Sequence, residues 1–330
     1  MTILSSHAAE GLLGRAAVST RRCLAGPAPL LMALIALCLL LGLTKPQFAT
    51  YNNLYSVLYG VSLNAFAVLG FTLVMAGGEI DLSVGSVFAF TGMATGMLMA
   101  EGVPVYPAIG IALVGAALIG FVNGFLVVRF RVNSLMLTIG TMLVVRGLAD
   151  VMASTLSGAT FAKPFREVAR IRVGDVNLWL VVLIVLTILF GVFERRHRIA
   201  RRIFQIGESP ETAVIYGVRA GALKLSLFVL SAVTAGIGGI LAASRNTHAD
   251  PKIGLGLEFL LVTAAIIGGA SLSGGRGSVP GAVLGLLFLA VIVNGMVMFD
   301  VEPLIQQLVI GVLLVAAVSF DLLVRRWSGR

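Results

Sequence analysis

A chain of 330 residues that is 58% apolar and 12% charged, with a mean hydropathy of +1.02, is no ordinary soluble domain; such domains are about one quarter charged. The formal charge of +9 does not mark a nucleic-acid binder, because the basic residues lie between apolar runs and form no single face. Cys23 and Cys38 sit before and inside the first apolar run, without C-x-x-C spacing or a histidine cluster, which argues against a structural disulfide and a metal site.

The chain opens with Arg15, Arg21 and Arg22 ahead of the apolar run Pro29 to Leu43, a start like that of a signal peptide. No convincing small-x-small cleavage site follows, so an uncleaved first helix is expected after a cytoplasmic segment 1–27. Apolar windows of about 17 to 25 residues, the length that spans a bilayer core, occur ten times. The first half carries Ala28–Thr44, Leu54–Ala76, Leu82–Ala100, Val105–Val128 and Val132–Thr155. The second carries Val176–Phe193, Leu223–Ala243, Leu255–Ser271, Val279–Phe299 and Pro303–Val324. Arg146 and Asp150 break the fifth window, and glycines load the eighth. With the N-terminus inside, sixteen of the 24 basic residues fall on the inner side, seven on the outer side, and Arg146 in the membrane. That bias predicts an all-α polytopic membrane protein with about ten transmembrane helices and both termini cytoplasmic. Its membrane domain is then 28–324, with a tail at 325–330.

Between the second and third windows lies Gly77 to Ser86, G-G-E-I-D-L-S-V-G-S. Glu79, Asp81 and three glycines interrupt apolar sequence there. A charge in hydrocarbon is costly unless it reaches water or a buried partner. Glycine-rich irregular backbone persists at that depth only inside protein or beside a water-filled cavity. The expectation is a buried turn near the cytoplasmic side, in which Asp81 or Ser83 caps the donors opening the third helix. A plain polar turn between spans is the alternative. Arg146 and Asp150, four apart, face one another on a helix and either neutralise each other or line a polar path. Asn64, Asn123, Asn294, Thr138 and Thr141 pose the same choice between interhelical hydrogen bonding and such a path.

Two loops stand out by length. The outer one, Leu156 to Asp175, carries Lys163, Arg166, Glu167 and Arg170 and is expected to be solvated, with a periplasmic partner as the other reading. The inner one, Glu194 to Gly221, contains E-R-R-H-R-I-A-R-R, which suits topology and anionic lipid, and leaves His197 a poor metal ligand. Inside it Ser209 is placed to cap a helix, Pro210 fits the first helical position and Glu211 meets the positive end of the dipole. Thr212, Ala213 and Tyr216 follow, and Gly217 supplies the stop. A helix of about two turns does not stand alone. It rests on the chain's own helices, the membrane surface or a partner.

Farther on, L-S-G-G-R (272–276) is similar to the signature loop of ABC ATPases, but none of the four lysines follows a glycine. Without a phosphate loop, no nucleotide hydrolysis is expected of this chain. Gly268, Gly269, Gly274, Gly275 and Gly277 instead permit close backbone approach in a re-entrant segment between two spans. A faint echo relates M-A-G-G-E-I-D-L-S-V-G-S (75–86) to I-G-G-A-S-L-S-G-G-R-G-S (267–278). No catalytic triad, paired catalytic carboxylates or metal-ligand spacing is present.

Six blocks now stand in order: 77–86 above; V-N-G-F-L-V (122–127); L-T-I-G-T-M-L-V-V-R-G-L-A (137–149); G-E-S-P-E-T-A-V-I-Y-G-V (207–218); P-K-I-G-L-G-L-E (251–258); and G-G-A-S-L-S-G-G-R-G-S-V-P-G (268–281). Together they resemble the signatures of permease subunits from ribose-type sugar ABC importers. Asn133-Ser134, where that family usually has a proline, and Leu260, where an acidic residue is common, depart from the pattern. The resemblance implies a transport subunit and not an enzyme, with no cofactor of its own, since ATP is bound by a separate cytoplasmic ABC ATPase. It further implies a periplasmic sugar-binding protein, a second permease copy or related permease, and a place in the bacterial inner membrane. On this reading Ser209, Pro210, Glu211, Thr212, Ala213, Tyr216 and Gly217 couple to the ATPase. Gly78, Asp81, Ser83, Gly85, Gly268, Gly269, Gly274, Gly275 and Gly277 form signature turns, and Asn64, Thr138, Thr141, Arg146 and Asp150 are candidates for the translocation path. A branched-chain amino-acid permease and an ion-coupled secondary carrier are the rival readings. Against the carrier, the acids lie mostly near span ends and not in a mid-membrane cluster.

Overall fold

A computed structural model describes residues 28–156, 161–247, 250 and 252–327; the segment 1–27 with Cys23 and its three arginines lies outside them. Thirteen α-helices follow in order among the described residues: α1 (Ala28–Thr44), α2 (Tyr51–Ala76), α3 (Val84–Ala100), α4 (Val105–Phe130), α5 (Ser134–Leu156), the short α6 (Lys163–Val168), α7 (Leu178–Arg196), α8 (Arg198–Glu208), α9 (Pro210–Ile215), α10 (Ala220–Asn246), α11 (Leu257–Ile267), α12 (Val279–Met298) and α13 (Pro303–Trp327). A small antiparallel hairpin, β1 (Arg172–Val173) and β2 (Val176–Asn177), pairs Arg172 with Asn177 just before α7.

Each of the ten apolar windows contains a helix, but they are not ten equal spans. Seven helices, α2, α4, α5, α7, α10, α12 and α13, are long and apolar enough to cross a membrane; α1, α3 and α11 are apolar but shorter. The eighth window shows why. Its helix is cut to Leu257–Ile267 because Gly254 and Gly256 take left-handed φ of 72° and 77° before it, and Gly269 takes 95° after it. Eleven residues rise only about 16 Å, roughly half of a 30 Å hydrocarbon core.

Small residues decide what lies inside. Helix α10 runs through the middle of the bundle against α2, α3 and α4. A methyl group at Gly239 would overlap the Phe88 carbonyl, one at Gly238 would sit 2.6 Å from the Leu63 carbonyl, and one at Gly70 would sit 2.6 Å from Ser231 Cα. Without a hydrophobic driving force between helices in lipid, such close backbone approach supplies much of the association. Accordingly α2 and α10 are mostly buried, whereas α7 and α13 bury almost no residue completely.

The bundle has two distinct ends. At one, Tyr59 donates to the Ala169 carbonyl (2.6 Å), Ser244 donates to the Phe165 carbonyl (2.6 Å), and the Ala169 N–H donates to Ser244 Oγ (2.9 Å). These bonds seat α6, and the Asn177 amide donates to the same Ala169 carbonyl (2.7 Å), tying the β-hairpin to it. At the other end lie α8 and α9. Helix α8 buries Ala200, Ile203 and Ile206 on one side and exposes Arg198, Arg201 and Arg202 on the other, the pattern of a helix lying along a surface.

The sequence echo has a counterpart in backbone geometry. At the end of α2 the N–H groups of Gly77, Gly78 and Glu79 donate to the carbonyls of Leu73, Met75 and Val74. At the end of α11 those of Gly268, Gly269 and Ala270 donate to Ala264, Ile266 and Ala265 in the same order. In both, the second glycine is left-handed, as this C-terminal cap requires.

Candidate functional site

The stretch after α2 does not leave the bundle. It turns at Gly78 (φ 80°) and runs back among the helices, so that Asp81, Ser83 and Ser86 are fully buried. Asp81 Oδ1 accepts from the Ser83 N–H (3.1 Å) and the Ser83 hydroxyl (2.5 Å), and Oδ2 accepts from Ser231 of α10 (3.0 Å). Asn123 of α4 donates to Ser83 Oγ (3.0 Å), and Thr141 of α5 donates to Asn123 Oδ1 (2.7 Å). The Leu82 N–H donates to Thr138 Oγ1 (3.1 Å) and the Ile80 N–H to Ser134 Oγ (3.2 Å). A chain of polar groups thus joins α10, the turn, α4 and α5 across an otherwise apolar interior. It answers the backbone donors of a non-helical segment that water does not reach.

The expected cap on α3 by Asp81 or Ser83 does not form. The Ser83 side chain does not cap α3; it is drawn away to bridge Asp81 and Asn123. Asp81 serves the turn itself, holding the N–H one position before the helix. Glu79, by contrast, reaches Lys224 at the start of α10 (2.5 Å), both side chains mostly shielded.

Successive contacts along α10 give the depth of each group. Lys224 pairs with Glu79 at the α8–α9 end, Ser231 holds Asp81, Gly239 meets Phe88, and Ser244 holds the hairpin end. Gly85 lies between the Asp81 and Phe88 levels, near the middle of the bundle. There Arg146 of α5 crosses to other segments, donating to the carbonyls of Gly85 (3.1 Å), Ile253 (3.1 Å) and Gly254 (3.3 Å). The expected pairing with Asp150 along one helix is therefore not its main engagement; both Glu258 and Asp150 act on the guanidinium by charge. Of the remaining path candidates, Thr138 and Thr141 belong to the polar chain and Asp150 is exposed on α5. Asn64 stands apart on α2, and no hydrogen bond among the described residues joins it to this group. Asn294 pairs amide to amide with Asn53 (3.1 and 2.9 Å), a structural use.

The α8–α9 arm is a helix, cap and stop as the sequence indicates. Ser209 accepts from the Thr212 N–H (3.3 Å), Pro210 opens α9, and Gly217 is left-handed at φ 76°. Ala213 faces inward: it is buried against Ile206 and Val218, so its small size serves packing within the chain and not the approach of a partner. The outward apolar residues are Val214, Ile215 and Tyr216, which are 58%, 83% and 79% exposed. The arm is locked to the bundle through glycines. Gly207, at the end of α8, touches the Ala76 carbonyl, the Gly275 N–H and Gly78, and Gly275 itself donates to the Ala76 carbonyl (2.9 Å). Three signature segments therefore converge on one junction of bare backbone.

Sequence reasoning passed over Ser231, Lys224, Gly207 and Glu258. Ser231 carries no local signal, since a serine in an apolar helix is ordinary, and Gly207 figured only as the first residue of the 207–218 block. Lys224 looks like a topology residue. Glu258 marked only a motif, although a carboxylate inside an apolar window is itself a sign of a buried site.

Comparison with known proteins matches residues 53–318 to the family described as "Branched-chain amino acid transport system / permease component". The chain is 31% identical over 292 residues to the L-arabinose ABC transporter permease protein AraH of Azospirillum brasilense, covering 88% of this chain and 86% of that one. It is 32% identical over 288 residues to the D-allose transport system permease protein AlsC of Escherichia coli K12, covering 86% and 87%. The ribose import permease protein RbsC of the same strain is 30% identical over 300 residues, covering 88% and 92%.

Proposed function

Because the chain belongs to the permease-component family that matches its residues 53–318, we propose that it is the membrane subunit of an ATP-driven ABC importer for a neutral sugar or related polyol. The family description spans branched-chain amino-acid systems, but relatives named for arabinose, allose and ribose favour a sugar. The chain moves its solute by alternating access and hydrolyses nothing itself. ATP is bound by a cytoplasmic partner, and a periplasmic binding protein delivers the solute.

The observation that carries this reading is the α8–α9 arm. It presents three exposed apolar side chains at its tip, while its base meets the turns after α2 and α11 through backbone contacts that tolerate no Cβ. A movement imposed on α9 reaches both turns without slack. We assign Ser209 to Gly217 as the element gripped by the ATPase, with Val214, Ile215 and Tyr216 as the buried anchors of that contact.

The distribution of basic residues supports ten membrane segments in domain 28–324, both termini and the loop 194–221 in the cytoplasm, and an inner-membrane location. Three of these segments are the short helices α1, α3 and α11. The exposed face of α5 supports a dimer. Leu143, Val144, Gly147 and Asp150 all face outward there, and Asp150 suits a water-filled path between two permeases better than it suits lipid. Thr141 and Arg146 border the same face.

The test is copurification. Ile215→Ser and Tyr216→Ala remove apolar anchors without touching the bundle. Each is expected to cost about 1.4 kcal/mol or more, a tenfold loss of ATPase affinity, while the permease still inserts. Variants that retain the ATPase and its full stimulation place the coupling element elsewhere, with the loop after Gly268 next in line.

A further inference from the structure

We propose that Glu258, together with Arg146, forms a hydroxyl-binding site for the transported solute where the first turns of two short helices meet; this rests on the importer reading above. Helix α3 starts at Val84 and runs toward the hairpin end, where Gly96 packs on Phe161. Helix α11 starts at Leu257 and runs the opposite way, so that Gly268 packs on Gly281 at the start of α12. Their first turns face each other near mid-depth. A methyl group on Gly85 would strike Glu258 Oε2 and lie 2.7 Å from the Gly254 carbonyl.

Into this junction of two positive helix ends projects a carboxylate. Glu258 is only 4% exposed, and its buried Oε2 has no hydrogen-bond partner among the described residues. Buried polar atoms are almost always paired, so Oε2 is an acceptor with capacity in reserve. Arg146 stands beside it as a donor, its guanidinium already tying the Gly85 carbonyl of α3 to the 253–254 segment.

The chemistry selects the solute class. A cation meets Arg146 and two positive helix ends, and an anion meets Glu258. A neutral polyhydroxy solute offers a hydroxyl proton to Oε2 and a hydroxyl oxygen to the guanidinium. In the present conformation Gly85 closes over Glu258, so the site opens only when the start of α3 and the turn before α11 part. The left-handed Gly254 and Gly256 border that turn. Such a site handles the solute in transit and does not store it.

The experiment uses the full chain reconstituted in liposomes with its ATPase and binding protein. The probes are radiolabelled L-arabinose, D-ribose and D-allose, with the monodeoxy analogues of whichever is carried, all at saturating liganded binding protein. Wild type is expected to disfavour one deoxy analogue by about ten- to a hundredfold in solute moved per ATP. Glu258→Ala should abolish that preference and lower sugar moved per ATP about tenfold, with binding-protein stimulation of the ATPase kept. Glu258→Gln, which preserves shape and a neutral acceptor, should keep part of the preference. If the preference is the same in wild type and both variants, or if both variants lose ATPase stimulation together, Glu258 is structural and the proposal falls. If wild type carries no sugar or polyol at all, the importer reading itself fails first.

Discussion

Asp81 holds the buried turn by three hydrogen bonds, and Asp81→Ala removes all of them at once. Measured hydrogen bonds between helices in a bilayer average about 0.6 kcal/mol, so the three together are worth about 2 kcal/mol. One donor recovers: Ser231 turns to a carbonyl of its own helix. Ser83 Oγ goes on accepting from Asn123, but neither the Ser83 hydroxyl proton nor its N–H regains an acceptor, and each orphaned buried donor adds about 1–3 kcal/mol. The expected cost is therefore about 3–7 kcal/mol. Asp81→Asn keeps an acceptor for Ser83 and offers an amide that Ser231 accepts, so its cost should stay below about 1 kcal/mol. The assay is unfolding of the full chain in bicelles by denaturing detergent, followed by circular dichroism. An alanine variant within about 0.5 kcal/mol of wild type, or an asparagine variant as damaged as alanine, would refute the reasoning.

Gly207→Val pushes a side chain into the Ala76 carbonyl and the Gly275 N–H, so it should free the arm and uncouple ATP hydrolysis while the bundle still inserts. Gly110→Ala, with nothing within 4 Å of the new methyl, should keep full coupling and gain a little helix stability. The Glu79–Lys224 pair is partly shielded, between the about 0.5 kcal/mol of exposed pairs and the 3–5 kcal/mol of buried ones. A double-mutant cycle with Glu79→Gln and Lys224→Met should return a coupling of about 1–3 kcal/mol, and a value near zero would show the pair to be incidental.

The apolar segments were legible because a helix in lipid must satisfy its own backbone, which forces long unbroken apolar runs such as those of α2, α4 and α10. The true length of α11 was not legible, since Leu255, Gly256 and Gly268 to Ala270 carry no charge and extend the apolar window past both ends of the helix. The turn at Gly77 to Ser86 announced itself through its carboxylates and glycines. What they bind did not, because Asp81 and Ser231 lie 150 positions apart. The cap and stop of α9 follow from local rules, so Ser209, Pro210 and Gly217 stand as expected. The inward turn of Ala213 depends on where Ile206 and Val218 pack, which no local rule supplies. Arg146 and Asp150 looked like one ion pair because helical spacing brings them together, yet carbonyls freed by the non-helical 253–254 segment compete for the guanidinium.

A permease of this kind carries its sugar only when ATP is hydrolysed beside it. The direct measurement is uptake of radiolabelled L-arabinose, D-ribose or D-allose into liposomes holding the chain, its ATPase and enclosed ATP, with binding protein outside. Accumulation of one of these sugars that requires ATP, the binding protein and an intact Ile215–Tyr216 surface is the predicted result. Uptake driven by an ion gradient with the ATPase absent, or ATP-dependent uptake of leucine in place of any sugar, would contradict it.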